Sequence, residues 1–279
     1  FGKKYYRNIL NNKKFYLKKN YRKKKYKNKI FQKLTDKNVN INQIKSAIVV
    51  TPVESHYKIS RFFIKKKIPI ILEKPAARHP SEIKKLSDFS KMNKTTVIVN
   101  YSDLFNGDFN FLLSKRKIIG KIKYIKADFG KFSNQYKKKA LTPAEDWLSH
   151  PFALILKLFK KISYIRVVSN NIKKKNKSFF QKIHIKFKTH QKIDGEVIFS
   201  NSYKTKRRNL ILYGEKGFLS YDGYNKKNNF ILTHKRIIPK KRYPSPMENV
   251  IETLYFHSKK KKFYSNLDLS LEIGKILHR

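Results

Sequence analysis

Residues 68–75 read Ile-Pro-Ile-Ile-Leu-Glu-Lys-Pro, and this stretch is the strongest indication of the fold in the sequence. Its apolar run predicts a buried strand that stops at the charged pair Glu73 and Lys74. Pro75 cannot donate to a sheet ladder and therefore ends the strand. In an open parallel sheet the carboxyl ends of the strands face the ligand crevice. We therefore expect Lys74 to meet a bound molecule, although in a lysine-rich chain a surface lysine is the simpler reading of this residue alone.

A second buried strand precedes this one. Residues 47–50 (Ala-Ile-Val-Val) are followed by Thr51 and Pro52, and then by a helix that carries His56. Strand, helix and strand form a βαβ unit of about 30 residues with parallel strands and a right-handed crossover. Taken alone, His56 is more typical of a helix surface than of a ligand contact.

A further helix and strand complete the first domain. A helix from about residue 81 leads to the strand 95–99, and Asn100 stands where that strand stops. Because this end is again the ligand side of a parallel sheet, Asn100 is a candidate for cofactor contact. We place the end of a first domain, residues 1–101, just after it.

From residue 102 onward the pattern changes to strands with one buried face. Apolar and polar residues alternate in several stretches, and turns that contain glycine separate them. Such alternation is typical of an antiparallel or mixed sheet with one face covered. The predicted fold class is α/β, with an N-terminal βαβ domain of parallel strands. Residues 102–279 are predicted to form a C-terminal α+β domain with an open, mostly antiparallel sheet.

The strongest signal in the second domain is Asp-Trp-Leu-Ser-His-Pro at residues 146–151. Apolar residues follow it, so we predict one helix in which Asp146 and His150 share a face. Pro151 removes a donor and kinks a helix, and such a kink would turn His150 towards a cleft. Taken alone, an Asp-x-x-x-His pair is more often a cap or a surface ion pair than a catalytic site.

Together these motifs resemble the Gfo/Idh/MocA family of glucose–fructose oxidoreductases and inositol dehydrogenases, and the resemblance covers nearly the whole chain. It implies that residues 1–101 form an N-terminal Rossmann-type dinucleotide-binding domain that lacks its first strand. Many members carry glycine before the Asp-x-x-x-His motif and a second Asp soon after it. Here residues 143–145 are Pro-Ala-Glu and residues 151–153 are Pro-Phe-Ala, which leaves substrate orientation and activity open. The residues that carry the resemblance are Thr51, Pro52, His56, Glu73, Lys74, Pro75, Ile119, Gly120, Asp146 and His150.

The resemblance implies an NAD- or NADP-dependent oxidoreductase that transfers a hydride between nicotinamide and a hydroxyl of a sugar, cyclitol or sugar nucleotide. It implies three catalytic residues: His150 accepts the proton, Lys74 polarises the oxygen, and Asp146 orients either of them or a neighbouring hydroxyl. The roles of Lys74 and His150 can be exchanged, because His and a desolvated Lys both reach a pKa near the working pH. The implied cofactor-binding residues are Gly2, Thr51, Pro52, His56, Glu73, Lys74, Pro75 and Asn100.

The resemblance also makes Gly2 the last glycine of a G-x-G-x-x-G fingerprint, at the start of the helix that follows the first strand. We then expect that strand and two earlier glycines upstream of residue 1, so that the sequence is a fragment or a decayed copy. A strand at residues 14–19 should lead to the residue that holds the ribose, near Asn20. No carboxylate stands there, and the basic neighbours fit either the 2′-phosphate of NADP or a general excess of lysine.

The chain carries 67 Lys and Arg against 18 Asp and Glu, a formal net charge of +49. Such a charge is typical of nucleic-acid-binding proteins. Here, however, 56 of these residues are Lys and 11 are Arg, whereas phosphate and base recognition favours Arg. The positive residues are also spread over the whole chain, and an AT-rich genome explains the excess of Lys. We expect no specific nucleic-acid partner, and a basic binding protein stays the less favoured alternative.

The remaining composition limits other functions. The chain has no Cys, which excludes disulfides and thiolate metal sites and fits a cytoplasmic location. The sequence shows no membrane-length apolar run, no metal-ligand spacing and no G-x-S-x-G motif. We expect a small carbohydrate-like substrate, no bound metal and, by resemblance, a homo-oligomer. The main alternative is a non-catalytic or truncated relative of the family.

Overall fold

The computed structural model describes residues 2–10, 41–134, 141–175, 178–239 and 243–278. The chain forms two compact units: Phe1–Asn100 with Met247–Leu271, and Tyr101–Pro246 with Glu272–Arg279. The predicted fold class is confirmed, because the first unit holds a parallel sheet of Rossmann type and the second a mixed, mostly antiparallel sheet. The predicted strand 14–19 and the surroundings of Asn20 lie outside the described residues.

Within the described residues, the sheet of the first unit has three parallel strands in the order β1-β2-β3. They are β1 Ala47–Val49, β2 Ile70–Glu73 and β3 Val97–Asn100. Every residue of β2 and β3 is buried, as expected for continuous apolar runs in a parallel sheet that is covered on both faces. The register sets Glu73 opposite Asn100, so the carboxyl ends of the two strands lie side by side.

Three helices of the first unit accompany these strands: α1 Gly2–Leu10, α2 His56–Lys65 and α3 Pro80–Met92. The start of α3 is encoded locally. Pro80 occupies the first turn, where its missing N–H costs nothing, and Glu82 Oε2 accepts a hydrogen bond from the backbone N–H of His79 at 3.4 Å. Ile83 and Leu86 then follow at helical spacing on the buried face.

The second unit is built on an eight-stranded sheet in the order β11-β10-β9-β8-β4-β7-β6-β5. Among the strands that the structure describes here, β4 and β7 are parallel neighbours and the other neighbouring pairs are antiparallel. Buried residues alternate along β4, where Ile125, Ala127 and Phe129 face inward. The strands are β4 Ile122–Gly130, β5 Ile162–Lys175, β6 Ser178–Thr189, β7 Asp194–Ser200, β8 Arg207–Gly214, β9 Gly217–Asp222, β10 Phe230–Leu232 and β11 Arg236–Ile237.

The helices of the second unit are α4 Gly107–Ser114, α5 Pro143–Trp147 and α6 Ser149–Phe159. The prediction of a single helix kinked at Pro151 was wrong, because the structure has two helices here. Pro151 lies in the first turn of α6, where backbone N–H groups have no partner within the helix, so a new helix accommodates the proline that a continuous one would not. Asp146 therefore belongs to α5 and His150 to the first turn of α6. Trp147 stacks on Phe199 of β7 with 6.1 Å between ring centres, which packs α5 against the sheet.

The last two helices are α7 Pro246–Lys259 and α8 Leu267–Leu277. The sequence placed everything after residue 101 in the second domain, whereas the structure groups Met247–Leu271 with the first unit. Asn266 supplies the physical reason. Its Oδ1 accepts from the backbone N–H of Val99 at 2.7 Å, and its Nδ2 donates to the Val99 carbonyl at 2.9 Å. The segment thereby satisfies backbone groups that the open edge of β3 would leave unpaired.

Candidate functional site

The carboxyl ends of β2 and β3 hold a buried network around Glu73. Glu73 Oε1 accepts hydrogen bonds from Tyr5 Oη at 2.9 Å and from Asn100 Nδ2 at 2.8 Å, and Asn100 Nδ2 also lies 2.6 Å from Tyr5 Oη. Burial and the neighbouring carboxylate raise the pKa of Tyr5, so its hydroxyl stays protonated and donates. Glu73 thus ties α1 to the end of the sheet.

Asn100 retains one acceptor at this edge. Its Oδ1 is buried and has no hydrogen-bond partner among the residues that the structure describes. A buried acceptor without a partner is costly unless a ligand or water donates to it. Dinucleotides bind at the carboxyl edge of such sheets, so this oxygen fits a hydroxyl or amide donor of that cofactor.

His56 connects the loops that follow β1 and β2. Its Nδ1 lies 2.8 Å from the carbonyl oxygen of Pro75, and its Nε2 lies 2.8 Å from that of Thr51. The ring is buried, and both nitrogens face backbone. The structure therefore gives His56 a positioning role at the edge of the sheet, and its direct contact with a dinucleotide stays a prediction.

The remaining predicted cofactor residues occupy the same edge or the start of α1. Lys74 and Pro75 follow β2 directly and are half-buried, Thr51 is half-buried, and Pro52 is exposed. Gly2 begins α1, where an added Cβ would meet no atom within 4 Å in the described part of the chain. Packing against the described part of the chain therefore does not require glycine at position 2.

In the second unit, His150 faces a carboxylate that the sequence analysis missed. His150 Nδ1 lies 3.2 Å from Asp103 Oδ2, at ion-pair distance although off the ideal hydrogen-bond direction. Asp103 belongs to the short 3₁₀ turn Ser102–Phe105, and both side chains are at most 10% exposed. A carboxylate at Nδ1 favours the tautomer with its hydrogen on that nitrogen, which leaves the lone pair on Nε2. This arrangement suits His150 to accept a proton through Nε2.

Asp103 is held ionised by its surroundings. Its Oδ1 accepts a hydrogen bond from Tyr221 Oη at 2.9 Å and lies 3.6 Å from Arg208 Nη1. Burial by itself raises the pKa of Asp103, but the Arg208 guanidinium and His150 outweigh it and lower the pKa from 3.8 to about 2. The carboxylate is therefore charged across the whole range in which an enzyme works.

Replacing Asp103 with asparagine is expected to lower the free energy of unfolding at neutral pH by about 2–3 kcal/mol, because Arg208 stays buried without its counter-charge. Since the folded-state pKa is depressed, this contribution is complete above the ordinary pKa of 3.8 and disappears as the pH falls through about 2. Urea denaturation of both proteins across the acidic range measures the difference. Asp88→Asn, in an exposed pair with Lys84, is the control and should cost little at any pH. An Asp103→Asn difference that stays constant with pH would contradict the assignment.

The predicted catalytic residues are divided between the two units. Lys74 belongs to the first unit, and Asp146 and His150 belong to the second. Asp146 is half-buried, and its backbone carbonyl accepts from Ser149 Oγ at 3.2 Å. That the three residues act together stays a prediction.

Four residues of these networks escaped the sequence analysis, namely Tyr5, Asp103, Arg208 and Tyr221. Asp103 follows the strand end at Asn100 by three residues, which is a place where ligand-side residues occur. The chain has 11 Arg among 67 positive residues, so Arg is scarce in it. That scarcity is the sequence feature that could have marked Arg208 as a candidate site residue. Tyr5 carried no signal, because one aromatic residue on a helix is ordinarily a core residue.

The fold and the ligand edge of the first unit are those of an NAD(P)-binding Rossmann domain. Residues 7–101 match the model of the Gfo/Idh/MocA oxidoreductase family, NAD-binding Rossmann fold. The resemblance drawn from the sequence is thereby confirmed, and so is NAD or NADP as the cofactor of this domain. A search of curated proteins found no match.

Several solved structures share the fold of this chain. The UDP-N-acetylglucosamine 3-dehydrogenase of Acidithiobacillus ferrooxidans is 13% identical with a TM-score of 0.70, and the match covers 84% of this chain and 76% of that one. A myo-inositol dehydrogenase of Corynebacterium glutamicum is 11% identical with a TM-score of 0.69 over 84% and 76%. A Synechocystis biliverdin reductase, solved with biliverdin and NADP+, is 16% identical with a TM-score of 0.67 over 83% and 77%. At such identities the likeness shows the fold alone.

Proposed function

We propose that this protein transfers a hydride between NAD or NADP and a CH–OH group of a sugar, cyclitol or sugar nucleotide. The observation that carries the proposal is the orientation of His150 by a buried, ionised Asp103, in a chain whose first unit matches an NAD-binding oxidoreductase family. Two of the structures that share the fold are dehydrogenases of a sugar nucleotide and of inositol, which supports the substrate class.

Each side chain has a chemical task in this proposal. The bound nicotinamide supplies the hydride acceptor. His150 Nε2 takes the hydroxyl proton as the hydride leaves the same carbon, so a carbonyl forms, and in the reverse direction the imidazolium returns the proton. Lys74 polarises the reacting oxygen. Asp146 orients a neighbouring hydroxyl, since Asp103 already orients the ring, and Asn100 Oδ1 accepts from the cofactor.

Cofactor binding followed by a substrate panel tests the proposal. We expect saturable binding of NADH or NADPH, followed by fluorescence, and turnover of at least one of three groups: free sugars, inositols and UDP-sugars. Cofactor binding without turnover of any CH–OH substrate would favour a non-catalytic relative. Salt-sensitive DNA binding without nucleotide binding would favour the basic binding protein.

The same proposal covers location and assembly. None of the helices in the described ranges is long and apolar enough to cross a membrane. We place the protein in the cytoplasm, where a chain without Cys needs no oxidising environment. We also expect a homo-oligomer with a small-molecule substrate, as the family resemblance implies. Light scattering would contradict the oligomer if it gave the mass of a single chain.

A further inference from the structure

Arg208 is a buried cation next to the proposed base, and the proposed reaction gives it no role. Its Nη1 lies 3.6 Å from Asp103 Oδ1 and 3.5 Å from Ser102 Oγ. Its guanidinium carbon lies 5.7 Å from the ring centre of Trp147 and 5.3 Å from that of Tyr224. The side chain is 17% exposed. Cation–π contacts with these two rings favour this position of the guanidinium, so its charge lies near Asp103.

Asp103 divides its two oxygens between Arg208 and His150. Oδ1 faces Arg208 and the hydroxyl of Tyr221, and Oδ2 faces His150 Nδ1. The carboxylate carries a single negative charge, and the two groups at Oδ1 draw part of it away from the imidazole. The positive charge of Arg208 also opposes a second positive charge on His150 directly. With a neutral ring, the row Arg208, Asp103 and His150 has no net charge.

We propose that Arg208 is a positioning residue that keeps His150 able to accept a proton near neutral pH, because it partly offsets the negative charge of Asp103. The inference rests on the proposed function, in which His150 is the base. Without Arg208, the ionised carboxylate stabilises the imidazolium more strongly, and an imidazolium cannot accept a proton.

Other charged or titratable groups surround this row. Lys131 lies over the Trp147 ring at 5.8 Å from its centre, and Asp146 lies one turn before His150. Tyr224 and Tyr221 are neutral near pH 7, because burial raises the pKa of both. These groups stay in place when Arg208 is replaced, so they do not account for a change that follows its replacement.

Titration of the histidine rings by NMR in the full chain tests the inference without knowledge of the substrate. The chain has 8 His, and the signal of His150 is the one that His150→Gln removes. Arg208→Gln keeps a planar polar group between the rings and removes the charge. We expect it to raise the midpoint of His150 by about one pH unit and to leave the other midpoints unchanged. Arg208→Lys restores the charge and should return most of the shift.

Two further variants complete the design. Arg207→Gln is the matched control, because Arg207 is the exposed neighbour paired with Asp128 at 2.7 Å, and it should leave His150 unchanged. Tyr221→Phe removes the hydrogen bond to Asp103 Oδ1 without changing a charge. It should raise the midpoint of His150 by a few tenths of a pH unit. This variant replaces Arg208→Gln in the test if Arg208→Gln does not fold. If Arg208→Gln folds and its His150 midpoint stays unchanged or falls, the inference is overturned. If Arg208→Gln does not fold, the same result in Tyr221→Phe overturns it.

The outcomes separate the inference from the proposed function. Turnover of His150→Gln within tenfold of the unmodified protein defeats the proposed role of His150 as the base, whatever the titration shows. An unmoved midpoint in Arg208→Gln defeats only the inference. If both hold, the rising limb of kcat/KM against pH moves to higher pH in Arg208→Gln by the same amount as the midpoint.

Discussion

Replacement of Lys74 with methionine is expected to lower kcat by about a thousandfold and to leave the Kd for NADH nearly unchanged. Methionine keeps much of the volume of the lysine stem but offers no ammonium, so the substrate oxygen loses the group that polarises it. Lys74 follows directly on the fully buried strand β2, which gives its backbone a rigid support. Steady-state kinetics and an NADH titration measure the two quantities separately.

Lys85→Met is a suitable control for this experiment, because Lys85 is exposed on α3 and should tolerate the change with full turnover. Turnover of Lys74→Met within tenfold of the unmodified protein would remove Lys74 from the reaction. Loss of NADH binding together with turnover would instead assign Lys74 to the cofactor.

Replacement of His150 with glutamine is expected to lower kcat by a factor of about a hundred to a thousand. Glutamine keeps a polar group next to Asp103 but cannot take up a proton at neutral pH. The rising limb of kcat/KM against pH should disappear with the imidazole, because that limb reports the loss of a proton from the base. A pH series of initial rates measures both effects.

The matched control is His190→Gln, since His190 is exposed just beyond the end of β6. It should leave both the rate and the pH profile unchanged. A rising limb that persists in His150→Gln would show that another group is the base. Lys74 would then take that part, with His150 polarising the oxygen.

Much of the fold could be predicted because its signals are local. The run Ile70–Glu73 is buried on both faces, and such a run has few alternatives to a central strand. The helix predicted at residues 267–277 has those bounds as α8, because its apolar residues repeat at helical spacing. The turn between β8 and β9 is also local. Gly217, which follows this turn, has a φ of +145°, a backbone conformation that glycine adopts far more readily than other residues.

The failures have a common physical origin. Asn266 binds the backbone of Val99, which is 167 residues away. The pattern of apolar residues near either position does not predict that contact. The same holds for Tyr221, whose hydroxyl reaches Asp103 across 118 residues. Such partners are chosen by strand order and register, which depend on the packing of the whole unit.

By itself, the sequence determined the parallel strand that ends in Glu73-Lys74-Pro75, the sheet domain after it, and the class of cofactor. The strand and the sheet follow from apolar periodicity and from residues close together in the chain, and the class of cofactor follows from the family resemblance of those motifs. Only the tertiary structure decided that His150 faces Asp103, that Arg208 and Tyr221 hold that carboxylate, and that the segment around Asn266 belongs to the first unit. Buried polar groups pair with the groups that the fold places next to them, and the order of residues in the chain does not specify those partners.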